Sequence, residues 1–228
     1  MDLEQRIRRV EARIVEACRR AGRNRDDVRI IAVTKYVSLE TTKRAIELGL
    51  NHIGENRWQD ARPKWESLGS LATWHFIGHL QSNKAKDVVG KFEYIHSLDR
   101  LSLAEQLDKH AGLRGIEVKC FIQVNVSGET SKHGLPPEQL LEFARQLRRF
   151  SNIRVVGLMT MAPHEEDAER TRPVFRGLRE LRDRLNESSI LDEPVVHLSM
   201  GMSNDFEVAI EEGATWVRLG SVLVGKEE

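Results

Sequence analysis

The fold is decided by a repeating pattern whose first copy begins with Val28-Arg29-Ile30-Ile31-Ala32-Val33-Thr34-Lys35. This run of branched apolar residues is typical of a buried strand. A segment of helical period follows over residues 39–48 and stops at Gly49, where a glycine favours a helix C-terminus. A strand followed by a helix in this order predicts one β/α unit.

The same alternation continues along the chain. Further strand-like runs cover residues 52–56, 73–78, 94–98, 118–126, 154–161, 195–200 and 215–224, and helical patterns such as 139–150 and 172–185 lie between them. About eight repeats fit either a doubly wound sheet or a closed (β/α)8 barrel. Since no strand carries the GxGxxG turn of dinucleotide folds, we favour the barrel. We expect an α/β fold: one TIM-type barrel domain over residues 1–228, with an extra amphipathic helix over residues 3–21.

Composition excludes several classes of protein. The chain has 35 basic and 35 acidic side chains, so it lacks the excess positive charge of a general nucleic-acid or membrane-surface binder. Cys18 and Cys120 lie far apart without CxxC spacing, which indicates free buried thiols in a reducing compartment. The N-terminus is charged, and no apolar stretch approaches the ~20 residues that span a bilayer. We expect a cytoplasmic protein with neither nucleic acid nor membrane as a partner.

Lys35 is the first candidate functional residue. In a barrel, functional groups lie at the C-terminal ends of the strands. An amine there, flanked on the same strand face by Ile31 and Val33, can be desolvated enough to be partly neutral, as a Schiff-base lysine must be. The ordinary alternative is a lysine whose stem simply extends to water.

Two small-residue turns form the second candidate feature. The seventh predicted strand ends in Leu198-Ser199-Met200-Gly201-Met202-Ser203, and the eighth gives Arg218-Leu219-Gly220-Ser221. Barrels commonly bind phosphate after strands seven and eight. Gly201 and Gly220 allow the backbone to approach an anion, and Ser199 and Ser221 offer hydroxyl donors. A helix follows the first turn, and Asn204 and Glu207 have capping-box-like spacing at its predicted start. Tight turns with a cap are the purely structural alternative.

Arg218 interrupts an apolar strand and therefore needs a partner, either an interior carboxylate or an acceptor on a ligand. A reactive lysine and a phosphate site together suggest a phosphorylated carbonyl compound. A sugar phosphate and pyridoxal 5′-phosphate (PLP) both fit. Arginine only donates hydrogen bonds, so it favours PLP, whose unprotonated ring nitrogen is an acceptor.

The sequence predicts no metal site. His75 and His79 lie four residues apart on a strand, about 13 Å, which is too far to share one ion. No tight carboxylate pair and no GxSxG motif is present. Asn56, Asn125 and Ser127 lie near strand ends, where they can orient a ligand.

The chain resembles the PLP homeostasis protein family, which is related in fold to the barrel domain of alanine racemase. The matching stretches are Ala32-Val33-Thr34-Lys35, Gly54-Glu55-Asn56, residues 75–84, 124–127, 132–134, 157–163, 199–203 and 217–221. Arg57-Trp58 departs from the more usual Tyr-Val. The resemblance implies that PLP is bound covalently by Lys35, with Arg218 at the pyridine nitrogen, Asn56 near the ring, and the phosphate held by Ser199, Gly201, Gly220 and Ser221. It also implies a monomer that buffers or delivers PLP, with apo PLP-dependent enzymes as partners, and no established catalytic residue.

Two arguments favour a carrier over an enzyme. An unprotonated ring nitrogen is a poor electron sink. Racemisation also needs an acid/base group on each face of the substrate, and alanine racemases place one of these on a second domain. Because this chain ends at Glu228, we expect that domain to be absent. A PLP-dependent racemase of fold type III remains the alternative function, and a Schiff-base aldolase is a third.

Overall fold

The predicted repeats close into a barrel of eight parallel strands in the computed structural model, which describes residues 1–227. Each strand pairs with the next in sequence, and β1 closes the barrel against β8 through register pairs such as Ile31↔Arg218. The predicted fold class is therefore confirmed. The strands are β1 Arg29–Val33, β2 His52–Glu55, β3 Thr73–Phe76, β4 Tyr94–Leu98, β5 Val118–Gln123, β6 Ile153–Met159, β7 His197–Ser199 and β8 Trp216–Leu219.

Helices alternate with these strands and cover the outside of the barrel. The predicted extra helix is present as α1, and Asp2 and Gln5 form a capping box at its start. α1 lies against α8, where Arg13 and Arg20 pair with acidic residues. The helices are α1 Leu3–Arg20, α2 Leu39–Glu47, α3 Trp58–Leu68, α4 Ala85–Val88, α5 Leu101–Arg114, α6 Leu140–Leu147, α7 Arg172–Glu187 and α8 Phe206–Glu211.

Several strands end earlier than the sequence predicts, because turns begin where extended structure was expected. β8 stops at Leu219, and the Gly220 carbonyl then accepts hydrogen bonds from the amides of Leu223 and Val224 at 2.9 and 2.8 Å. β1 likewise stops at Val33, so Lys35 lies in the turn that follows.

The capping box predicted from Asn204 and Glu207 is wrong. α8 begins at Phe206, after Asp205. The Glu207 carboxylate instead pairs with Arg13 on α1, and the Asn204 amide contacts the His164 ring. The ion pair with Arg13 thus occupies the Glu207 carboxylate, which a capping box would have needed.

The barrel interior is unusually rich in rings. Trp216, Phe121, His75 and His96 are fully buried there, and His75 stacks on Tyr94. Gly157 is required by this packing, since a Cβ at that position would lie 2.5 Å from the Phe121 ring. The apolar layer between strands and helices is separate and more conventional.

Both cysteines are free and buried, as predicted. Burial raises the pKa of the Cys120 thiol well above its ordinary value. Within residues 1–227, no helix combines the length and the apolar character needed to cross a bilayer.

Candidate functional site

A cavity of about 270 Å³ opens at the C-terminal end of the barrel. It is lined by five of the seven residues that the sequence nominates: Lys35, Asn56, Arg218, Gly220 and Ser221. These residues come from the ends of β1, β2 and β8, which are neighbours in the closed barrel. The remaining two, Ser199 and Gly201, lie outside the lining.

Lys35 presents its amine to this cavity from the turn after β1. That turn is closed by the Val37 amide, which donates to the Thr34 carbonyl at 3.1 Å. The Lys35 side chain is half-buried, and its Nζ lies 4.9 Å from the centre of the Tyr36 ring. Among residues 1–227, no carboxylate lies within 4.0 Å of this amine. The amine is therefore available to a ligand.

A buried ion pair supports the same turn, and sequence reasoning missed it. The Lys64 ammonium lies 2.8 Å from Glu55 Oε1 and donates to the Thr34 carbonyl at 2.5 Å. The Thr34 hydroxyl donates to the same Glu55 oxygen at 2.5 Å. These three residues fix the backbone immediately before Lys35. Glu55 belongs to a quoted motif, but its partner on α3 carried no local signal.

Arg218 is buried, and neutral acceptors hold it. Its guanidinium donates to Ser199 Oγ at 2.7 Å, to the Thr160 carbonyl at 3.0 Å and to Met161 Sδ at 3.2 Å. No carboxylate within residues 1–227 pairs directly with it, so the interior-carboxylate alternative is not what the structure contains. Burial lowers the pKa of Arg218 to about 10, and the charge of Asp205 opposes this shift. Arg218 therefore remains a cationic donor at pH 7.

Donor capacity remains on Arg218 for a ligand. The hydrogen bonds described above use its two terminal nitrogens, and Nε makes none with any residue from 1 to 227. Because Arg218 lines the cavity, a ligand atom there can accept the hydrogen bond that Arg218 Nε does not otherwise donate.

Ser199 and Gly201 hold Arg218 rather than face the cavity. Ser199 is fully buried, and its hydroxyl contacts Arg218 on one side and His96 Nδ1, at 2.9 Å, on the other. The Gly201 carbonyl accepts from the Arg218 amide at 2.9 Å. Gly201 has φ +95° and packs on α8, where a Cβ would lie 2.6 Å from Ala209 Cβ.

A chain of three histidines extends from Ser199 through the barrel interior. His96 Nε2 lies 2.9 Å from His75 Nδ1, and His75 Nε2 lies 3.0 Å from His52 Nδ1. Burial lowers the pKa of His75 and of His96 well below 6.5, with further lowering from neighbouring histidines and, for His96, from Arg218. Both rings are therefore neutral at pH 7.

Because the rings are neutral, each one has one donor and one acceptor nitrogen, and this sets the donor at each hydrogen bond of the histidine chain. Since Ser199 Oγ accepts from Arg218, its own hydrogen is free to bond His96 Nδ1. His96 then donates from Nε2 to His75 Nδ1, and His75 donates from Nε2 to His52 Nδ1. This assignment gives every one of these bonds one donor and one acceptor, and it holds the Ser199 hydroxyl in the orientation that accepts from Arg218.

The turns after β7 and β8 supply unpaired backbone donors. The amides of Ser203, Asn204 and Ser221 make no hydrogen bond with other residues of the described chain, and all three residues line the cavity. Ser203 Oγ accepts from the Val222 amide at 3.3 Å, which ties the two turns together. Free N–H groups in neighbouring turns suit an anion. Ser203 lies in the turn predicted to bind an anion, and Asn204 was predicted to cap the following helix, but neither was predicted to contact the anion.

Other candidates lie elsewhere. Asn125 and Ser127 contact Glu129 in the loop after β5, away from the cavity lining. His75 is buried inside the barrel, whereas His79 is exposed at its rim.

Comparisons with known proteins cover the whole chain. A family model described as "Alanine racemase, N-terminal domain" matches residues 6–228. The "Pyridoxal phosphate homeostasis protein" of Aquifex aeolicus is 46% identical over 229 residues, with 100% of each chain covered. That of Pseudomonas aeruginosa is 42% identical, with 99% of this chain and 96% of the relative covered.

Solved structures agree with this assignment. PipY of Synechococcus elongatus PCC7942, solved with PLP bound, superposes with a TM-score of 0.86 at 34% identity, covering 98% of this chain and 100% of that chain. An alanine racemase of Clostridium difficile superposes with a TM-score of 0.74 at 17% identity, and this likeness shows the fold alone. This chain belongs to the pyridoxal phosphate homeostasis protein family, within the broader family of the alanine racemase N-terminal domain.

Proposed function

We propose that this protein binds PLP in the cavity at the C-terminal end of the barrel and serves to buffer or deliver it. One observation carries the proposal: an unpaired amine, a buried cationic donor and free backbone amides line the same cavity. PLP supplies an aldehyde that condenses with a primary amine, a phosphate, and a ring nitrogen that accepts a hydrogen bond. The name of the Aquifex relative and the PLP-bound PipY structure support the same assignment.

Each group of the cofactor has a candidate partner. Lys35 would bind the aldehyde carbon, and Arg218 would donate to the ring nitrogen. The amides of Ser203, Asn204 and Ser221, together with Gly220, would hold the phosphate. Asn56 would lie near the ring. Ser199 and Gly201, which the sequence nominates as phosphate ligands, would act through Arg218 instead.

A carrier role is favoured over turnover. Arg218 stays protonated at pH 7, so a ring nitrogen that faces it remains unprotonated and withdraws electrons weakly from a bound substrate. The relatives' names describe homeostasis. The alternative, a PLP-dependent amino-acid racemase of fold type III, has the shared barrel fold in its favour. We further propose that the protein acts in the cytoplasm as a monomer, with apo PLP-dependent enzymes as recipients.

The lysine assignment is tested by adding PLP to purified protein, trapping the adduct with borohydride and locating it by mass spectrometry. Lys226 provides a matched control, because it also lines the cavity and lies 5.9 Å from the centre of the Tyr36 ring. We expect Lys35→Ala to abolish both the visible absorbance of the PLP–protein adduct and the adduct trapped by borohydride. We expect Lys226→Ala to retain both. Retention of the adduct in the Lys35 variant, or its loss only in the Lys226 variant, would refute the assignment.

The carrier and racemase functions are separated by exchange of the amino-acid Cα proton with solvent deuterium. A carrier should exchange Cα protons no faster than free PLP, whereas a racemase should exceed free PLP and interconvert enantiomers. Activation of an apo-enzyme by the PLP-loaded protein, with free PLP scavenged, tests delivery directly. Light scattering of the same sample tests the monomer.

A further inference from the structure

A second group of chemistry-bearing residues lies at the rim of the barrel, outside the PLP cavity. His79 follows β3, Asp99 follows β4 and His133 lies in the loop after β5, so they come from three neighbouring strands. One potential ligand atom from each lies within 4.8 Å of the other two. The rings of His79 and His133 stack with centroids 4.1 Å apart and planes 17° from parallel.

We propose that His79, Asp99 and His133 form a binding site for one divalent metal ion of the zinc class. Two imidazoles and a carboxylate are donors that zinc prefers, and three protein ligands leave a fourth position for water. Ligand atoms around tetrahedral zinc lie about 3.3 Å apart for bonds of about 2.0–2.1 Å. The three side chains therefore need to approach by about 1.5 Å at most. Both histidines are exposed and can do this by side-chain rotation.

The carboxylate is already oriented. Asp99 Oδ1 accepts from Arg100 at 2.9 Å, and Arg100 is itself anchored to the Leu80 carbonyl and to Ser82. The Asp99 side chain is only 10% exposed, yet its second oxygen makes no hydrogen bond with residues 1–227. A ligating carboxylate held through one oxygen by an outer hydrogen bond is the usual arrangement in metal sites.

The loop that carries His133 is fixed to the end of β5. Leu135 forms an isolated bridge with Val124, and the Asn125 amide donates to the Leu135 carbonyl at 2.8 Å. Gly134 has φ +115°, and a Cβ there would lie 2.8 Å from the Asn125 nitrogen. The backbone at His133 is thereby held against the strand end, which keeps the three donors together.

The site is tested by titrating metal-stripped, PLP-free full-length protein with Zn²⁺ in a calorimeter and with Co²⁺ in a spectrophotometer. We expect one ion per chain and a tetrahedral Co²⁺ absorption band. Loss of an outer hydrogen-bond partner typically costs about 10–100-fold in metal affinity, so loss of a ligand should cost at least about tenfold. We expect this loss in His79→Ala, His133→Ala and Asp99→Asn.

His110→Ala is the matched control, because His110 lies on α5 outside the group. We expect it to bind Zn²⁺ like the parent, with circular dichroism confirming that every variant is folded. Unchanged affinity and an unchanged Co²⁺ band in a folded His79→Ala/His133→Ala double variant would overturn the proposal. An equal loss in the His110 variant would also overturn it. Neither readout depends on PLP, so failure here is separate from failure of the proposed function.

Discussion

Mild acid should destabilise this protein through its buried histidine chain. The folded-state pKa values of His75 and His96 lie well below 6.5 because both rings are buried. Below pH 6.5 the unfolded chain takes up protons that the folded protein does not. The stabilisation is therefore complete above pH 6.5 and declines as the pH falls toward the lowered folded values.

The size of the effect follows from the number of buried rings. Each group that titrates only in the unfolded state contributes about 1.4 kcal/mol per pH unit, so the two rings contribute up to about 2.7 kcal/mol per unit. The loss accumulates below pH 6.5 until the lowered folded-state values are reached, and it is taken from the 5–15 kcal/mol that is typical of a folded protein. His52 and His197 also have lowered pKa values, so they add to the loss of unfolding free energy in acid.

The measurement is the free energy of urea unfolding at half-unit intervals from pH 7.5 to pH 5. The ordinary carboxyl pKa of about 4 lies below this window, although burial raises the pKa of Asp205, whose effect on stability has the opposite sign. Histidine ring resonances followed by NMR in the folded protein give an independent reading. We expect the rings of His75 and His96 to titrate well below the ordinary histidine value of 6.5, because both are buried. Native midpoints near 6.5 for these two rings, or an unfolding free energy that is constant from pH 7 to pH 5, would refute the reasoning.

Three further predictions concern the support of the cavity, each measured by urea unfolding and by PLP titration. Lys64→Met should cost about 3–5 kcal/mol, because it leaves the fully buried Glu55 carboxylate unpaired, and adding Glu55→Gln should recover part of the loss; an additive double variant would contradict the pairing. Ser199→Ala should cost about 1–3 kcal/mol by leaving buried donors and acceptors without a partner, and an unaltered stability would argue against the chain. Gly78→Ala should weaken PLP binding, because its Cβ would lie 2.4 Å from the Asn56 carbonyl and displace that residue; wild-type affinity would show that Asn56 is unimportant.

Local patterns were sufficient to predict the barrel and the main cavity residues. Eight apolar runs with glycine-terminated helices between them specify the strand order, because short β/α connections leave few alternatives. Lys35, Asn56, Gly220 and Ser221 were found because they follow strands, and strand ends meet at one face of a barrel.

The buried histidine chain behind the cavity could not be predicted from local sequence patterns. His52, His75 and His96 lie on β2, β3 and β4, and only barrel closure brings them into line with Ser199. Ser199 was assigned to the turn because of its neighbours, but it is the last residue of β7 and its side chain enters the barrel. Side-chain alternation along that strand was the signal that could have placed it. The His79, Asp99 and His133 group likewise spans three loops and has no sequence spacing of its own.

The electrostatics of Arg218 connect the histidine chain to the proposed function. A carboxylate partner would have neutralised the guanidinium, whereas Ser199 and Thr160 hold it in place and leave its charge intact. That charge favours a phosphorylated ligand, and the remaining donor favours an acceptor nitrogen. A protonated His96 near Arg218 would oppose both, so the burial that keeps the ring neutral also preserves Arg218 as a charged donor to the cavity. A pyridine nitrogen that faced this donor would stay in its weakly electron-withdrawing form, which supports the proposal that Lys35 tethers PLP rather than turning over substrates.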